Sequence, residues 1–305
     1  MKKRDILFLL LLVAAVFVNS IWAEEKNEIW DPVTPGPFTI LTAPICEKGK
    51  TSIQPLYFFN IARGIFDGTA EYFGLPSKDY IYQQLLQLYT QFGLTDRIEV
   101  GAQPEWQWNY AKVDAKTASA NGIGDTILFA RYCAIDETLW IPRITADLQV
   151  KLPTGKYQKS HDGMLYTDIT GTGSTDYTYG FSFTKGVHPI RTVFHLDLLL
   201  TNVPSSVRID GVKAQFSNTY IVNGALEWIF YKDFNILGEL LWQTQGDMKL
   251  DGDRAPETGK SSLIFSTGIG YSQKDWQMLV GYQRTLAGTN VVANDTVAVT
   301  IMATF

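Results

Sequence analysis

The stretch that most limits what this chain can become is its end, Thr296-Val-Ala-Val-Thr-Ile-Met-Ala-Thr-Phe305. Val297, Val299, Ile301, Ala303 and Phe305 alternate with Thr296, Ala298, Thr300, Met302 and Thr304. Strict period two, apolar on one face and small or weakly polar on the other, marks a β-strand. A tilted strand of ~9–11 residues is long enough to cross a bilayer. The stretch therefore reads as the closing strand of a transmembrane barrel, provided the rest of the chain repeats the pattern.

It does. Candidate strands lie near 51–61, 80–92, 97–110, 123–134, 141–152, 175–185, 191–203, 216–230, 234–247, 261–272, 276–288 and 295–305. In the fifth, Ile144, Ala146, Leu148, Val150 and Leu152 oppose Arg143, Thr145, Asp147, Gln149 and Lys151. In the seventh, Phe194, Leu196, Leu198 and Leu200 oppose His195, Asp197, Leu199 and Thr201. The second is ambiguous, because Ile81, Leu85, Leu88 and Phe92 also suit one face of a helix. Short links (93–96, 135–140, 186–190, 231–233, 273–275) alternate with long ones (62–79, 111–122, 153–174, 204–215, 248–260). A meander sorted in this way is what an outer-membrane barrel shows, short turns in the periplasm and long loops outside.

The polar face carries Glu99, Glu105, Arg131, Arg143, Asp147, Lys151, His195, Asp197, Glu227 and Glu239. Hydrocarbon cannot solvate such a set, so a sheet closed in lipid points it inward. These residues are the candidate lining of a passage, and their mixed signs predict a weak ionic bias. Aromatic residues gather by the short turns (Phe92, Trp140, Phe183, Trp228, Phe230, Phe234, Tyr271, Trp276, Phe305) and toward the long loops (Trp106, Trp108, Tyr177, Tyr179, Trp242, Tyr282). Two such girdles are expected at the two membrane interfaces. The fold class expected is all-β: a transmembrane antiparallel up-and-down β-barrel of about 12 strands.

Before the first strand stand two other segments. Lys2, Lys3 and Arg4 precede an apolar run from Ile6 to Val18 and a stretch ending at Ala23. That is the pattern of a cleaved secretory signal, residues 1–23. Its removal takes three basic residues and Asp5 from totals of 26 basic and 31 acidic, which leaves a mildly acidic chain with no basic face for nucleic acid. Residues 24–50, with Pro32, Pro35, Pro37 and Pro44, have no sustained period. They read as a periplasmic lead-in or as a plug in the lumen of a barrel formed by 51–305. Cys46 and Cys133 are compatible with one disulfide or with two buried thiols.

Gly93-Leu-Thr-Asp-Arg-Ile-Glu-Val-Gly101, Gly122-Ile-Gly-Asp-Thr126, Leu148-Gln-Val-Lys-Leu-Pro-Thr-Gly155 and Gly171-Thr-Gly-Ser-Thr-Asp-Tyr177 follow one another in a familiar order and spacing. Together they resemble the outer-membrane β-barrel family labelled "MetA-pathway of phenol degradation". The resemblance implies an outer-membrane transporter passing small molecules, aromatic or apolar ones among them, and a terminal Phe305 read by the barrel-assembly machinery. Expected partners are outer-membrane lipid, that machinery and a small molecule whose identity does not transfer with the family label. Physically, Gly93 and Asp96 suit a tight turn, and Pro153 with Gly155 ends a strand.

Enzymatic chemistry finds little support. His195 and Asp197 share one strand face and His161-Asp162 lies in a long loop, each half of a nucleophilic site. Asp251-Gly252-Asp253 lacks the remaining ligands of a calcium loop. No Cys or His cluster has metal-ligand spacing and no phosphate loop occurs, so no cofactor is expected. The alternatives to a transporter are a structural or adhesive barrel and a barrel hydrolase.

Overall fold

A computed structural model describes residues 29–30, 32–157, 160–209 and 211–305; the expected signal peptide lies outside them. Twelve long strands form the wall. They are β1 (Thr51–Phe66), β2 (Tyr80–Gly93), β3 (Ile98–Gln103 and Glu105–Val113), β4 (Lys116–Ile123 and Thr126–Ile135), β5 (Arg143–Leu152) and β6 (Asp176–Val187). The others are β7 (Thr192–Asn202), β8 (Thr219–Tyr231), β9 (Phe234–Gln245), β10 (Lys260–Ser272), β11 (Trp276–Thr289) and β12 (Val291–Thr304). Each pairs antiparallel with its sequence neighbours, and β1 pairs with β12 from Ser52↔Thr304 to Phe66↔Val291. Thr51 N donates to Phe305 O at 3.1 Å and Phe305 N to Thr51 O at 2.8 Å, which carries the ladder to the chain's last residue. Closure removes both edges, the condition for a sheet in lipid.

The ambiguous second stretch is a strand, β2, bonded to β1 on one side and to β3 on the other. A helix there would satisfy its own backbone but leave β1 and β3 with unpaired edges, and the pairing outweighs the local pattern. Pro104 interrupts β3, and Gly124-Asp125 interrupts β4. Proline lacks the N–H that a ladder needs.

Side chains alternate between two opposite environments. Leu148 is 51% exposed and its neighbour Asp147 only 4%; Ile269 is 60% exposed, while Glu99, Glu227 and Glu239 are at most 1%. This is an inside-out protein, with apolar residues on the outer surface and charge within. On that surface Trp228, Phe230, Phe234, Tyr271 and Trp276 touch in sequence, with ring centroids 6.1, 6.4, 4.8 and 5.4 Å apart. Such a belt suits a membrane interface.

The connections sort as expected at one end and differ in part at the other. The links 94–97, 136–142, 188–191, 232–233 and 273–275 are short. On the opposite side, residues 111–122 are a hairpin rather than a loop: β3 and β4 pair as far as Val113↔Lys116 and turn on Asp114 and Ala115, with φ of 49° and 65°. Lys112, Lys116, Ser119 and Asn121 are too polar for a lipid-facing pattern, but a hairpin projecting into water tolerates polar residues on both faces. β11 and β12 pair with each other only as far as Arg284↔Asp295 and are joined through Asn290, at φ 53°. The hairpins Val207–Ile209/Val212–Gln215 and Lys249–Leu250/Asp253–Arg254 join into a small separate sheet. There Asp251 and Gly252 make a turn, and Asp251 Oδ1 accepts from Lys213 N at 3.0 Å.

Candidate functional site: the lumen and the segment inside it

Residues 34–46 lie within the barrel, in its short-turn half. Their backbone meets inward side chains of the wall instead of joining the sheet. Thr34 Oγ1 donates to Glu227 Oε1 (2.9 Å), Thr39 N to Glu239 Oε1 (3.2 Å), Leu41 N to Asp197 Oδ2 (2.6 Å), Ala43 N to Thr184 Oγ1 (2.9 Å) and Cys46 N to Glu99 Oε2 (2.6 Å). In the other direction, Arg131 Nη2 donates to Thr42 O and Thr145 Oγ1 to Ala43 O. Proline explains the choice of partners: a segment with Pro32, Pro35, Pro37 and Pro44 cannot supply a regular ladder. Gly49 N bonds Gly93 O at 2.8 Å, and the chain then enters β1.

An apolar anchor fixes the middle of the segment. Phe38 and Ile40 pack with Leu56, Phe58, Ala225, Leu237, Leu279 and Ala298 in a buried cluster inside the lumen. Several wall positions lack a side chain where residues 30–47 pass, Gly186, Gly270 and Gly281 among them. A Cβ on Gly281 would stand 2.6 Å from the Phe38 ring, and one on Gly186 would collide with Trp30 O.

The structure places the sequence candidates as follows. Arg131 joins Glu99 (2.8 Å) and Asp147 (2.5 Å), and Ser182 Oγ donates to the second oxygen of Asp147. His195 does not pair with Asp197 as expected from their shared face. Its Nε2 lies 2.9 Å from Glu227 Oε1 and its Nδ1 3.0 Å from Thr184 Oγ1, across the strands on either side. Residues at i and i+2 share a face, but cross-strand neighbours lie closer. Glu239 binds Thr39 and Asn223, and Asn235 Nδ2 donates to Glu227. Arg143 opens β5, two residues from Thr145. Cys46 and Cys133 are buried free thiols, which decides between the two readings of the sequence.

Glu105 and Lys151 belong to the long-loop half. Glu105 accepts from Gln87 Nε2 (2.9 Å) and from Gln107. Lys151 lies 3.4 Å from Asp125 and 2.6 Å from Asp176. A ladder of amides, Asn60–Gln83–Gln107 and Asn109, crosses β1, β2 and β3. The loop 153–175 folds inward onto it: Gln107 Nε2 donates to Thr170 O and Asn109 Nδ2 to Thr167 O. Thr34, Thr39, Thr184, Asn223 and this amide ladder escaped the sequence reading. Of the wall residues only the inward phase is legible in the sequence, since uncharged polar residues are common on any strand face, and Thr34 and Thr39 stand in a stretch without any period.

Within that loop His161 pairs with Asp168 rather than Asp162, Nδ1 to Oδ2 at 2.9 Å. Lys156, Ser160 and the His161 backbone donate to the same carboxylate. Ser160 spends its hydroxyl proton on Asp168, not on the imidazole, so the group lacks the Ser–His bond of a nucleophilic site. Burial opposes the charge on Asp168, but these hydrogen bonds outweigh it and hold the carboxyl well below the usual carboxylate range. A depressed carboxylate stabilises the loop above its free pKa of about 3.9 and loses that contribution as pH falls through the lower folded value. Trypsin cleavage at Lys156 is therefore expected to stay slow from neutral to mildly acid pH and to rise at pH 7 in Asp168→Asn. Equal cleavage of both proteins would refute this anchoring. Among the described residues no group of three His, Cys, Asp or Glu is arranged to hold a metal ion.

A closed twelve-stranded antiparallel barrel, polar within and apolar without, is the architecture of outer-membrane β-barrels. An outer-membrane channel from Pseudomonas putida F1 superimposes with a TM-score of 0.69 over 90% of this chain and 100% of that one, at 17% identity. The translocator domain of the autotransporter NalP from Neisseria meningitidis gives 0.45 at 11% identity, over 84% of this chain and 88% of that one. The KdgM porin gives 0.44 at 13%, over 83% and 99%. No curated protein matches the sequence. The family described as "Putative MetA-pathway of phenol degradation" matches residues 72–301, and the chain belongs to it.

Proposed function

We propose that this protein is an outer-membrane channel for small molecules, closed at rest by residues 32–49. The observation that carries this reading is the mode of attachment of that segment. Residues 34–46 are held by side-chain hydrogen bonds and one apolar anchor, and backbone pairing with the wall begins only at Lys48 and Gly49, so this part can leave without opening the sheet. The long loops then face outward and both chain ends face the periplasm, after export by a signal peptide cleaved near Ala23. Family membership and the apolar patch of Leu56, Phe58, Leu237 and Leu279, bared once Phe38 withdraws, favour aromatic or apolar solutes among those that pass. The inward charged residues named above line the route, and no covalent chemistry is assigned to them. Phe305, at the short-turn rim, serves as the residue read by the assembly machinery.

Liposome swelling tests the proposal. Phe38→Asp puts a charge into the apolar cluster and is expected to raise the swelling rate in small sugars and small aromatic solutes severalfold over the unaltered protein. If neither protein passes solutes faster than empty liposomes, while both run as folded, heat-modifiable barrels, the channel reading fails. A structural or adhesive barrel would give that result.

A further inference from the structure

We infer that the opened passage selects cations over anions, and that Asp197 and Glu239 set this preference; the inference rests on the channel reading above. From sequence, the inward charges were of mixed sign. The structure sorts them. In the short-turn half Glu99, Asp147, Asp197, Glu227 and Glu239 face Arg131 and Arg143, with His195 among them. In the long-loop half Glu105, Asp125 and Asp176 surround Lys151. Acid is in excess in both halves among the described residues.

The distribution matters more than the total. Arg131 is committed to Glu99 and Asp147, and His195 to Glu227. Asp197 and Glu239 have no cation at ion-pair distance among the described residues. Each is at most 1% exposed, and one oxygen of each, Asp197 Oδ1 and Glu239 Oε2, has no hydrogen-bond partner. Between them on β8 stands Asn223, in register with Asp197, donating to Glu239 Oε1 at 3.0 Å and leaving its own Oδ1 unpartnered. Three neighbouring strands thus present a row of acceptor oxygens with lone pairs to spare.

The segment holds the other oxygen of each carboxylate, Asp197 Oδ2 through Leu41 N and Glu239 Oε1 through Thr39 N and Oγ1, the latter shared with Asn223 of the wall. When the segment withdraws it takes those donors with it, and two unpaired carboxylates face the water path. An ionised carboxylate accepts but cannot donate, so Asp197 and Glu239 offer ligands to a cation and none to an anion, and the Asn223 amide donor between them is spent on Glu239. Rings of Asp and Glu confer cation selectivity on membrane pores in this way.

The test is the reversal potential in planar bilayers under a KCl gradient, with the full chain carrying Phe38→Asp to release the segment. A preference for K⁺ over Cl⁻ of roughly fivefold is expected, the equivalent of about 1 kcal/mol, the Coulomb energy of two unit charges about 4 Å apart in water. Adding Asp197→Asn and Glu239→Gln is expected to bring the ratio close to one. Asp233→Asn with Asp275→Asn, the same charge change at exposed positions in the short turns, is expected to leave it unaltered. Neutralising unpaired buried carboxylates removes a desolvation cost, so the double variant is expected to fold; heat-shifted gel mobility checks this. Currents without preference, preference for Cl⁻, or a ratio unmoved by the double variant would overturn the selectivity and leave the channel standing. Absence of current in every arm would remove the channel reading and this inference with it.

Discussion

Arg131→Met is expected to destabilise the protein by about 3–5 kcal/mol, the usual cost of removing one partner from a buried ionic group. The guanidinium is 4% exposed and holds three acceptors at once: Glu99, Asp147 and the Thr42 carbonyl of the inner segment. Met fills the volume but supplies no donor, so two carboxylates remain buried without their counter-charge. The loss should appear as a lower midpoint in urea unfolding from lipid vesicles and as faster proteolysis within 32–49. Adding Glu99→Gln and Asp147→Asn should restore most of the stability, because neutral amides do not demand a cation. A midpoint unchanged by Arg131→Met would show that lumen water replaces the guanidinium without cost, and the network would then hold nothing in place.

The second large effect belongs to the outer face. Leu148→Arg, halfway along β5, should cost about 2–4 kcal/mol, the range for a basic residue near the bilayer midplane. Gln149→Arg, one residue on and turned to the lumen, should cost far less, since water and carboxylates are within reach. The two differ by one step along a strand, so composition, length and strand propensity are nearly matched. The measurement is again unfolding from lipid vesicles, alongside the yield of heat-modifiable protein in the membrane. Equal costs at the two positions would contradict the assignment of faces.

Much of this was legible in the primary structure. Period two decides which residues share a face, and it places Asp147, Asp197, Glu227 and Glu239 inward, where the barrel buries them. Thr296–Phe305 was expected to close on the strand beginning at Thr51, and it does. The errors arose where the pattern lost its physical cause. Beyond the membrane neither face of a strand must be apolar, and the hairpin through 111–122 therefore read as a loop. Pairing partners are not local either: sequence distance matches His195 with Asp197, whereas the sheet sets it beside Glu227.

By itself, then, the sequence determined the barrel, because lipid imposes one rule on every strand and that rule is written locally, residue by residue. The contents of the lumen were a tertiary matter. Residues 32–49 carry no period, and prolines deny them a ladder, so nothing local says where they rest. Their position follows from groups far away along the chain: the carboxylates of Glu99, Asp197, Glu227 and Glu239, the gap left by Gly281, and the apolar hollow that receives Phe38. Only a closed wall brings those groups together, and only then does the segment have a place to lie.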